Sequence, residues 1–338
     1  MDLRLALIIV GLVYIPIQGV HALTFEHCLQ QQFEQSDDNK TLGELRRYCQ
    51  KAVIDDNVAS ITNQDELVGS FETSALTQRL KFEQRVDQNP FTLLPHKPNY
   101  ILISNNLASP NEQPFQQAFP DRAINIQPWE TKFQISLKLP VARGLFDGNG
   151  DLFVAYTNRS FWQQFNKQGS SPFRDSNHEP EIWLSFKNDK SIFGLHNSII
   201  RTGVAHQSNG QSGSLSRSWN RIYADFIFEQ GNWYFSLKPW WRIPESAKND
   251  DNPDIDNYLG NFEFGALYKK GKHSFDVLAR NNLDFGDNHG AVQLGWSFPI
   301  SNNVHGYVQW FNGYGESLID YNSYSNSIGL GIKLTDWL

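Results

Sequence analysis

The sequence predicts an all-β fold, a twelve-stranded antiparallel transmembrane β-barrel with a small N-terminal extension that is mainly helical. Three observations lead to this prediction. From residue 99 onward, apolar residues recur at every second position. About twelve such segments follow one another, and many are about ten residues long, the strand length of outer-membrane barrels. Aromatic residues make up 14% of the chain and collect at segment ends, as in the interfacial girdles of such barrels.

Composition argues against several other classes of protein. The chain has 338 residues, with 29 Lys and Arg against 36 Asp and Glu, so its net charge is -7. This balance argues against a nucleic-acid partner, which favours a basic face. Charged residues make up 19% of the chain, below the roughly 25% that is usual in soluble domains. After the first 22 residues, no segment is apolar enough to be a membrane-spanning helix.

Residues 1–22 have the pattern of a secretory signal peptide. An apolar run over residues 5–17 follows Arg4, and it is too short to span a bilayer comfortably. Val20 and Ala22 are small residues at the two positions that a signal peptidase reads, so we expect cleavage after Ala22. The alternative is a buried N-terminal helix. The signal-peptide interpretation places the mature chain outside the cytoplasm.

Residues 23–88 are expected to form a periplasmic extension. The segment is rich in Gln, Asp, Glu and Leu, and a capping box predicts a helix over residues 41–49. A second helix is predicted within residues 64–82. Cys28 and Cys49, the only cysteines of the chain, could close a helical hairpin in an oxidising compartment. They could equally be two unpaired buried thiols, and the sequence leaves both possibilities open.

Residues 89–338 are predicted to form the barrel. Its strands are expected to start near residues 99, 130, 151, 179, 193, 219, 233, 258, 273, 291, 304 and 325. A β-sandwich would also give strands with one apolar face. The segments are longer than the five to six residues of typical soluble strands, and aromatic doublets at their ends favour the barrel. These doublets are Phe161-Trp162, Trp233-Tyr234, Trp240-Trp241 and Trp310-Phe311.

Three polar side chains are predicted to meet on the outward face of this barrel. His206 and Ser208 are two residues apart on one segment, so their side chains share a face. A hairpin centred on Gly213 places His206 opposite Asn220 of the next segment. Such groups are unfavourable on a lipid-contacting face unless they have a function. Ser208 can be a nucleophile, His206 its base, and Asn220 can fix the imidazole tautomer. A substrate that reaches them from the membrane plane would be a lipid ester.

Two other functions are compatible with the same pattern. A His-x-Ser pair carries little information by itself, and the barrel could be a pore or a structural protein without catalytic activity. A barrel protease would favour an acidic cluster in its outer loops, but Asp250, Asp251 and Asp254 fit a solvated turn better. The remaining histidines considered are interpreted as surface or lumen residues without functional neighbours. They are His96, His178, His196, His273, His289 and His305.

The predicted hairpin resembles the active-site hairpin of the outer-membrane phospholipase A family. The resemblance rests on His206-Gln-Ser-Asn-Gly210 and Ser216-Arg-Ser-Trp-Asn-Arg221. Other motifs of the family occur in the same order along the chain. They are Asn89-Pro-Phe-Thr-Leu93, Ser170-Ser-Pro-Phe-Arg174, Asn177-His-Glu-Pro180, Asp251-Asn-Pro-Asp254 and Tyr314-Gly-Glu-Ser-Leu-Ile-Asp-Tyr-Asn322. Together they cover roughly residues 89–338, and several long motifs in order are unusual by chance.

The resemblance implies an enzyme that hydrolyses the acyl esters of phospholipids and lysophospholipids, with A1 and A2 activity. The family works as a calcium-bound homodimer in the outer membrane of Gram-negative bacteria, with the active site toward the outer leaflet. By resemblance, Ser208 is the nucleophile, His206 the general base and Asn220 the residue that orients His206. The backbone N–H of Gly210 is then expected to bind the oxyanion.

The resemblance also implies a calcium site between two subunits. Its ligands would be the Ser170 hydroxyl of one subunit and the carbonyl oxygens of Gln211 and Ser216 of the other, and such oxygen donors suit Ca²⁺. The sequence departs from the family pattern at three places. Gln211 replaces an arginine, Asn158 replaces a glutamine that helps the barrels pair, and Leu338 replaces a C-terminal phenylalanine.

Overall fold

The computed structural model describes Cys28, Leu45, Arg46, Tyr48 and Cys49, together with residues 74–86, 92–301 and 304–336. The predicted signal peptide, the capping box at residue 41 and the C-terminal Leu338 lie outside the described residues. The chain divides into two units, Met1–Glu72 and Thr73–Leu338. In the first unit, Cys28 and Cys49 are joined by a disulfide bond, which decides between the two possibilities that the sequence left open. Both cysteines are buried.

The second unit is a closed antiparallel barrel of twelve long strands. They are β2 (Asn99–Asn106), β3 (Trp129–Ala142), β4 (Asp151–Trp162), β5 (Phe173–Ile192), β6 (Leu195–Ser208), β7 (Ser218–Gln230), β8 (Trp233–Ile243), β9 (Phe262–Lys270), β10 (His273–Asn281), β11 (Gly290–Pro299), β12 (His305–Tyr314) and β13 (Tyr324–Thr335). A short strand, β1 (Leu94–Pro95), pairs with β3. Each long strand pairs with the next, and β13 closes the sheet on β2. The predicted fold class is confirmed.

Two of the predicted strand starts differ clearly from the structure. β5 begins at Phe173 instead of near residue 179, because the outward positions Ser176 and His178 are polar and hide the alternation. β9 begins at Phe262 instead of near residue 258, because residues 255–259 form a helix. Both differences lie where the strands meet long loops.

The two faces of the barrel have opposite chemistry. Large apolar side chains that are 41–59% exposed point outward, among them Ile101, Ile135, Ile182, Val204, Leu294 and Leu330. Inward residues form buried ion pairs, such as Glu179 with Arg221 at 2.8 Å, and Lys132 of β3 with Glu316 of the β12–β13 loop at 3.0 Å. A soluble sandwich would instead bury its apolar face, so this arrangement is that of a barrel in lipid.

Only one residue of each aromatic doublet faces the lipid. Successive side chains alternate across a strand, so one member of each doublet faces inward and is buried. These inward members are Phe161, Tyr234, Trp240 and Phe311. Their partners face outward, and Trp233 and Trp241 are 46% and 65% exposed. The lipid-facing aromatic girdle therefore contains fewer of these residues than the sequence predicts.

In the described part of the second unit, the helices are few and short. They are α1 (Ala75–Val86), α2 (Gln113–Ala118), the turn Leu145–Gly148, the 3₁₀ turn Gly213–Leu215 and α3 (Ile255–Leu259). Within the described ranges, no helix has the length and apolar character needed to cross a membrane. Longer connections, including residues 107–128, 209–217 and 244–261, gather at one end of the barrel, which we call the long-loop end. The opposite, short-turn end has two-residue turns such as Phe193-Gly194.

Helix α1 packs inside the barrel at the short-turn end. Leu76 belongs to a buried cluster with Ile199, Ile227, Tyr234 and Leu267, which are inward residues of four strands. The carboxylate of Glu83 lies 2.9 Å from the ammonium of Lys138 on β3. The sequence predicts helix within residues 64–82, and the described helix is Ala75–Val86.

Candidate active site

The hairpin of β6 and β7 brings the predicted histidine and asparagine together at the long-loop end. In its register, His206 pairs with Asn220 and Ser208 pairs with Ser218. Val204 and Ile222, which share the parity of the trio on their strands, are 43% and 47% exposed and point outward. The predicted register is therefore confirmed, and His206, Ser208 and Asn220 occupy outward positions.

A hydrogen bond between the side chains of His206 and Asn220 defines the imidazole tautomer. Nδ1 of His206 lies 2.9 Å from Oδ1 of Asn220. An amide oxygen can only accept a hydrogen bond, so Nδ1 carries the proton and Nε2 keeps its lone pair. The orientation of the amide is fixed from its other side, because Nδ2 of Asn220 donates to Oε1 of Glu245 at 3.1 Å. The lone pair on Nε2 is what a general base requires.

The loop that follows Ser208 is held by one buried asparagine. Nδ2 of Asn209 donates to the carbonyl of Leu215 at 2.9 Å, and its Oδ1 accepts the backbone N–H of Arg217 at 3.0 Å and that of Gln211 at 3.3 Å. Next to it, Gly210 has a φ of 64°, a conformation that side-chain-bearing residues rarely adopt. The loop therefore has a defined backbone beside the candidate nucleophile.

His178 lies beside residues of the candidate site, contrary to the sequence interpretation. It pairs with Ser208 in the register of β5 and β6. Its Nδ1 lies 2.6 Å from the hydroxyl of Tyr156 and 3.3 Å from Nδ2 of Asn158. A Cβ atom built on Gly210 would lie 3.7 Å from the imidazole ring. The predicted β6–β7 hairpin does not reveal this contact, because His178 reaches the site through the pairing of β5 with β6.

The residues of the expected calcium site lie in two loops at the long-loop end. Ser170, which is exposed, precedes β5, and Gln211 and Ser216 lie between β6 and β7. The hydroxyl of Ser216 donates to Asp251 at 2.5 Å, and its carbonyl accepts from the guanidinium of Arg217 at 2.6 Å. Asp251 is thus a loop contact and not simply part of a solvated turn.

Hydroxyl and carbonyl oxygens are suitable ligands for calcium, and the carboxylate of Asp251 adds negative charge beside Ser216. For the carbonyl of Ser216 to bind a cation, the guanidinium of Arg217 must move away. Across the described residues, no group of three or more His, Cys, Asp or Glu residues could hold a metal. The expected ligands are instead a serine hydroxyl and two backbone carbonyl oxygens, which are donor types that calcium binds.

A family model described as Phospholipase A1 matches residues 76–334, which is most of the chain and the whole of the barrel up to β13. The chain belongs to the phospholipase A1 family. The phospholipase A1 of Escherichia coli K12 is 40% identical over 250 residues, which are 73% of this chain and 83% of that protein. The phospholipase A1 of Salmonella typhimurium is 35% identical over 303 residues, covering 88% of this chain and 96% of the relative.

Solved structures agree with this assignment. The outer membrane phospholipase A of Escherichia coli has a TM-score of 0.68 and 38% identity, over 73% of this chain and 100% of that one. The outer membrane phospholipase of Salmonella typhi, solved as a dimer with bound calcium, also has a TM-score of 0.68, with 37% identity over 74% of this chain and 94% of the other. A further structure of the Escherichia coli protein is an active-site mutant in which asparagine is replaced by alanine.

The protein is therefore a phospholipase, a carboxylic ester hydrolase whose barrel lies in the outer membrane of a Gram-negative bacterium. This assignment replaces the two alternatives, a pore without activity and a barrel protease. The catalytic roles of individual residues, the calcium dependence and the homodimer remain predictions at this point.

Proposed function

We propose that this phospholipase hydrolyses acyl esters with a Ser208-His206-Asn220 triad on the outward face of the barrel. The hydrogen bond between His206 and Asn220 is the main support, because it leaves Nε2 of His206 free to accept a proton. The outward position of the trio supports a substrate that arrives from the membrane plane. The asparagine-to-alanine mutant of the Escherichia coli protein, described as an active-site mutant, supports the role of Asn220.

The reaction begins with proton transfer from the Ser208 hydroxyl to Nε2 of His206. Oγ forms a bond with the acyl carbon, and the negative charge moves to the former carbonyl oxygen, where the N–H of Gly210 stabilises it. The bond between the acyl carbon and the glycerol oxygen then breaks. His206 gives its proton to that oxygen, and the lysophospholipid leaves. The acyl group remains on Ser208.

Water completes the cycle by the same two steps, in which water is the attacking group and Ser208 is the leaving group. His206 takes a proton from water, the resulting hydroxide attacks the acyl carbon, and Ser208 recovers its proton as the fatty acid leaves. The resemblance of the hairpin to the outer-membrane phospholipase A family supports activity at both glycerol positions. We propose A1 and A2 activity on phospholipids, and activity on lysophospholipids.

Calcium would be held by the hydroxyl of Ser170 from one subunit and by the carbonyls of Gln211 and Ser216 from the other. When bound, the ion supplies positive charge that polarises water near the oxyanion. The active form is proposed to be a calcium-dependent homodimer, which is supported by the calcium-bound dimer of the Salmonella typhi protein. Asn158, which replaces the family glutamine that helps the barrels pair, lies on the outward face of β4 and contacts His178 of the same chain.

The active site is proposed to face the outer leaflet. It lies at the long-loop end of the barrel, where β6 ends and β7 begins. Outer-membrane barrels carry their longer loops outside and their short turns in the periplasm. Phospholipids that reach this leaflet would then be the substrates.

Ser208→Ala in the full-length protein tests this proposal. We expect a folded, heat-modifiable barrel whose hydrolysis of micellar phospholipid falls by about 10³-fold or more, as for other lost nucleophiles. Ser212→Ala, an exposed serine of the same loop, is the matched control and should remain active. Calcium chelation should abolish turnover reversibly. Hydrolysis at the wild-type rate by Ser208→Ala would contradict the triad.

A further inference from the structure

The amide of Asn220 is hydrogen-bonded on both sides, and its second partner is a carboxylate. Nδ2 of Asn220 donates to Oε1 of Glu245 at 3.1 Å, while Oδ1 faces His206 at 2.9 Å. We propose that Glu245 is a positioning residue of the active site, which acts on His206 through Asn220. This inference rests on the proposed triad and extends it to a chain of four groups from Ser208 to Glu245.

The local sequence explains how Glu245 reaches this position. Ile243, the last residue of β8, pairs with Asn220 of β7. Pro244 follows, and a proline keeps the preceding residue in the extended region. Glu245 is two residues beyond Ile243 and shares its parity, so an extended chain carries its side chain onto the same outward face as Asn220. Glu245 is half-buried at this point.

The carboxylate acts on the amide in two ways. First, a carboxylate only accepts hydrogen bonds, so it selects the rotamer in which the NH₂ group of Asn220 faces Glu245 and the oxygen faces His206. Without it, the amide could turn over and present NH₂ to Nδ1, and the imidazole would carry its proton on the wrong nitrogen. Second, a charged acceptor polarises the amide, which makes its oxygen a stronger acceptor for the N–H of His206.

This arrangement also keeps the negative charge away from the acyl chains. An unpaired carboxylate in direct contact with His206 would lie on the lipid-contacting face, where desolvation is costly. Glu245 lies beyond the end of β8, in the loop region, where water can solvate the rest of its carboxylate. The neutral amide of Asn220 then connects this charge to His206, so that imidazolium formed during proton transfer is stabilised from a distance.

Steady-state hydrolysis by Glu245→Ala and Glu245→Gln tests the proposal in the calcium-loaded, full-length protein. We expect kcat to fall about 10-fold in Glu245→Ala, which corresponds to about 1.4 kcal/mol. In Glu245→Gln it should fall less, because the amide oxygen still accepts from Asn220 but carries no charge. KM should change little. The acidic limb of the pH profile should move to lower pH, because imidazolium at His206 loses a stabilising charge.

Asp256→Asn is the matched control. Asp256 lies in the same β8–β9 connection and faces Arg242 at 3.5 Å, so its loss removes the same charge without contact to Asn220. Its kcat and pH profile should equal those of the wild type. An equal loss in Asp256→Asn and Glu245→Gln would show a general charge effect and overturn the proposal.

A double-mutant cycle separates positioning from stability. In the Asn220→Ala background, Glu245→Ala should have no further effect on kcat, because the connection to His206 is already lost. Additive losses, or wild-type kcat in Glu245→Ala, would overturn the role of Glu245 while leaving the triad intact. Failure of the triad itself would appear separately, as full hydrolysis or unchanged labelling by a long-chain sulfonyl fluoride in Ser208→Ala.

Discussion

Nδ1 of His206 and Oδ1 of Asn220 lie 2.9 Å apart across two adjacent strands, on the face that the barrel turns toward lipid. Because strand pairing fixes their distance, the bond depends on the register of the hairpin and not on the flexibility of a loop. Glu245 approaches the same amide from the loop side. The third member of the proposed triad is therefore a neutral amide between an imidazole and a carboxylate.

The first prediction is that Asn220→Asp is harmful because of Glu245. An aspartate would bring a second carboxylate against Glu245, and two such carboxylates at hydrogen-bond distance cannot both stay ionised at little cost. We expect kcat/KM on micellar phospholipid to fall by about 10²-fold, since one carboxyl takes up a proton or turns away.

Glu245→Gln should partly rescue this variant, because the introduced amide can donate a hydrogen bond to the new carboxylate. The double variant is expected to be more active than Asn220→Asp alone, although Glu245→Gln alone lowers activity. Equal activity of Asn220→Asp in both backgrounds would contradict this interpretation.

The second prediction concerns two neighbouring serines in the β4–β5 loop. Ser170→Ala removes the proposed hydroxyl ligand, so more calcium should be needed for half-maximal hydrolysis, by about 10-fold, a typical cost of weakening a metal site. Ser171→Ala is the control, because its hydroxyl donates to the carbonyl of Gln164 at 3.1 Å and is not a proposed ligand. Both serines have positive φ angles, 61° and 51°. The same calcium requirement in both variants would remove Ser170 from the site.

Much of this fold could be predicted from the sequence because lipid imposes a simple rule. A strand between hydrocarbon and a polar lumen must alternate, and the alternation also gives the parity of His206 and Asn220. Their pairing follows from one local hairpin, so counting residues was sufficient. The bounds of β5 were less accessible, because its outward residues Ser176 and His178 are polar and interrupt the apolar alternation.

The residues that the sequence did not reveal reach the site through contacts between distant segments. His178 arrives by the pairing of β5 with β6, and Glu245 by the path of the β8–β9 loop. The aromatic doublets were predicted as girdles, but period two places one member, such as Trp240, inside. Helix α1 gives no sequence signal that it belongs inside a barrel.

The third prediction is that helix α1 keeps the barrel from conducting ions. Its residue Glu83 is buried and paired with Lys138 at 2.9 Å, and Leu76 packs on inward residues of four strands. Glu83→Lys places two ammonium groups against each other, which should expel the helix from the short-turn end. We expect conductance in planar bilayers to rise several-fold above the wild type.

Gln84→Lys is the control for this experiment, because Gln84 is exposed on the same helix and the change in charge has the same sign. Its conductance should match the wild type. If Glu83→Lys conducts no better than Gln84→Lys, the lumen is closed by other contacts, such as the ion pairs of Glu179 and Glu181.

The fourth prediction is a loss of stability in acid that depends on Glu316, which lies in the loop between β12 and β13. Burial alone would raise the pKa of this carboxyl, but Lys132 at 3.0 Å and the hydroxyls of Ser325 and Ser327 at 2.5 Å lower the pKa from 4.5 to about 2. A carboxyl whose pKa is lower in the folded state stabilises that state above its unfolded pKa. The stabilisation, on the order of 3 kcal/mol, is lost as the pH falls from about 4.5 to about 2.

Thermal unfolding in detergent, followed by circular dichroism between about pH 6 and pH 2, measures this effect. Glu316→Gln cannot change its charge, so it should be less stable than the wild type near neutral pH, because Lys132 then loses its buried partner. Its unfolding temperature should fall less on acidification, and the two curves should converge near the lower end of the range. Other carboxylates titrate in both proteins, so only the difference between the curves reports on Glu316. Parallel curves throughout would show that the contacts of Glu316 do not stabilise its charged form.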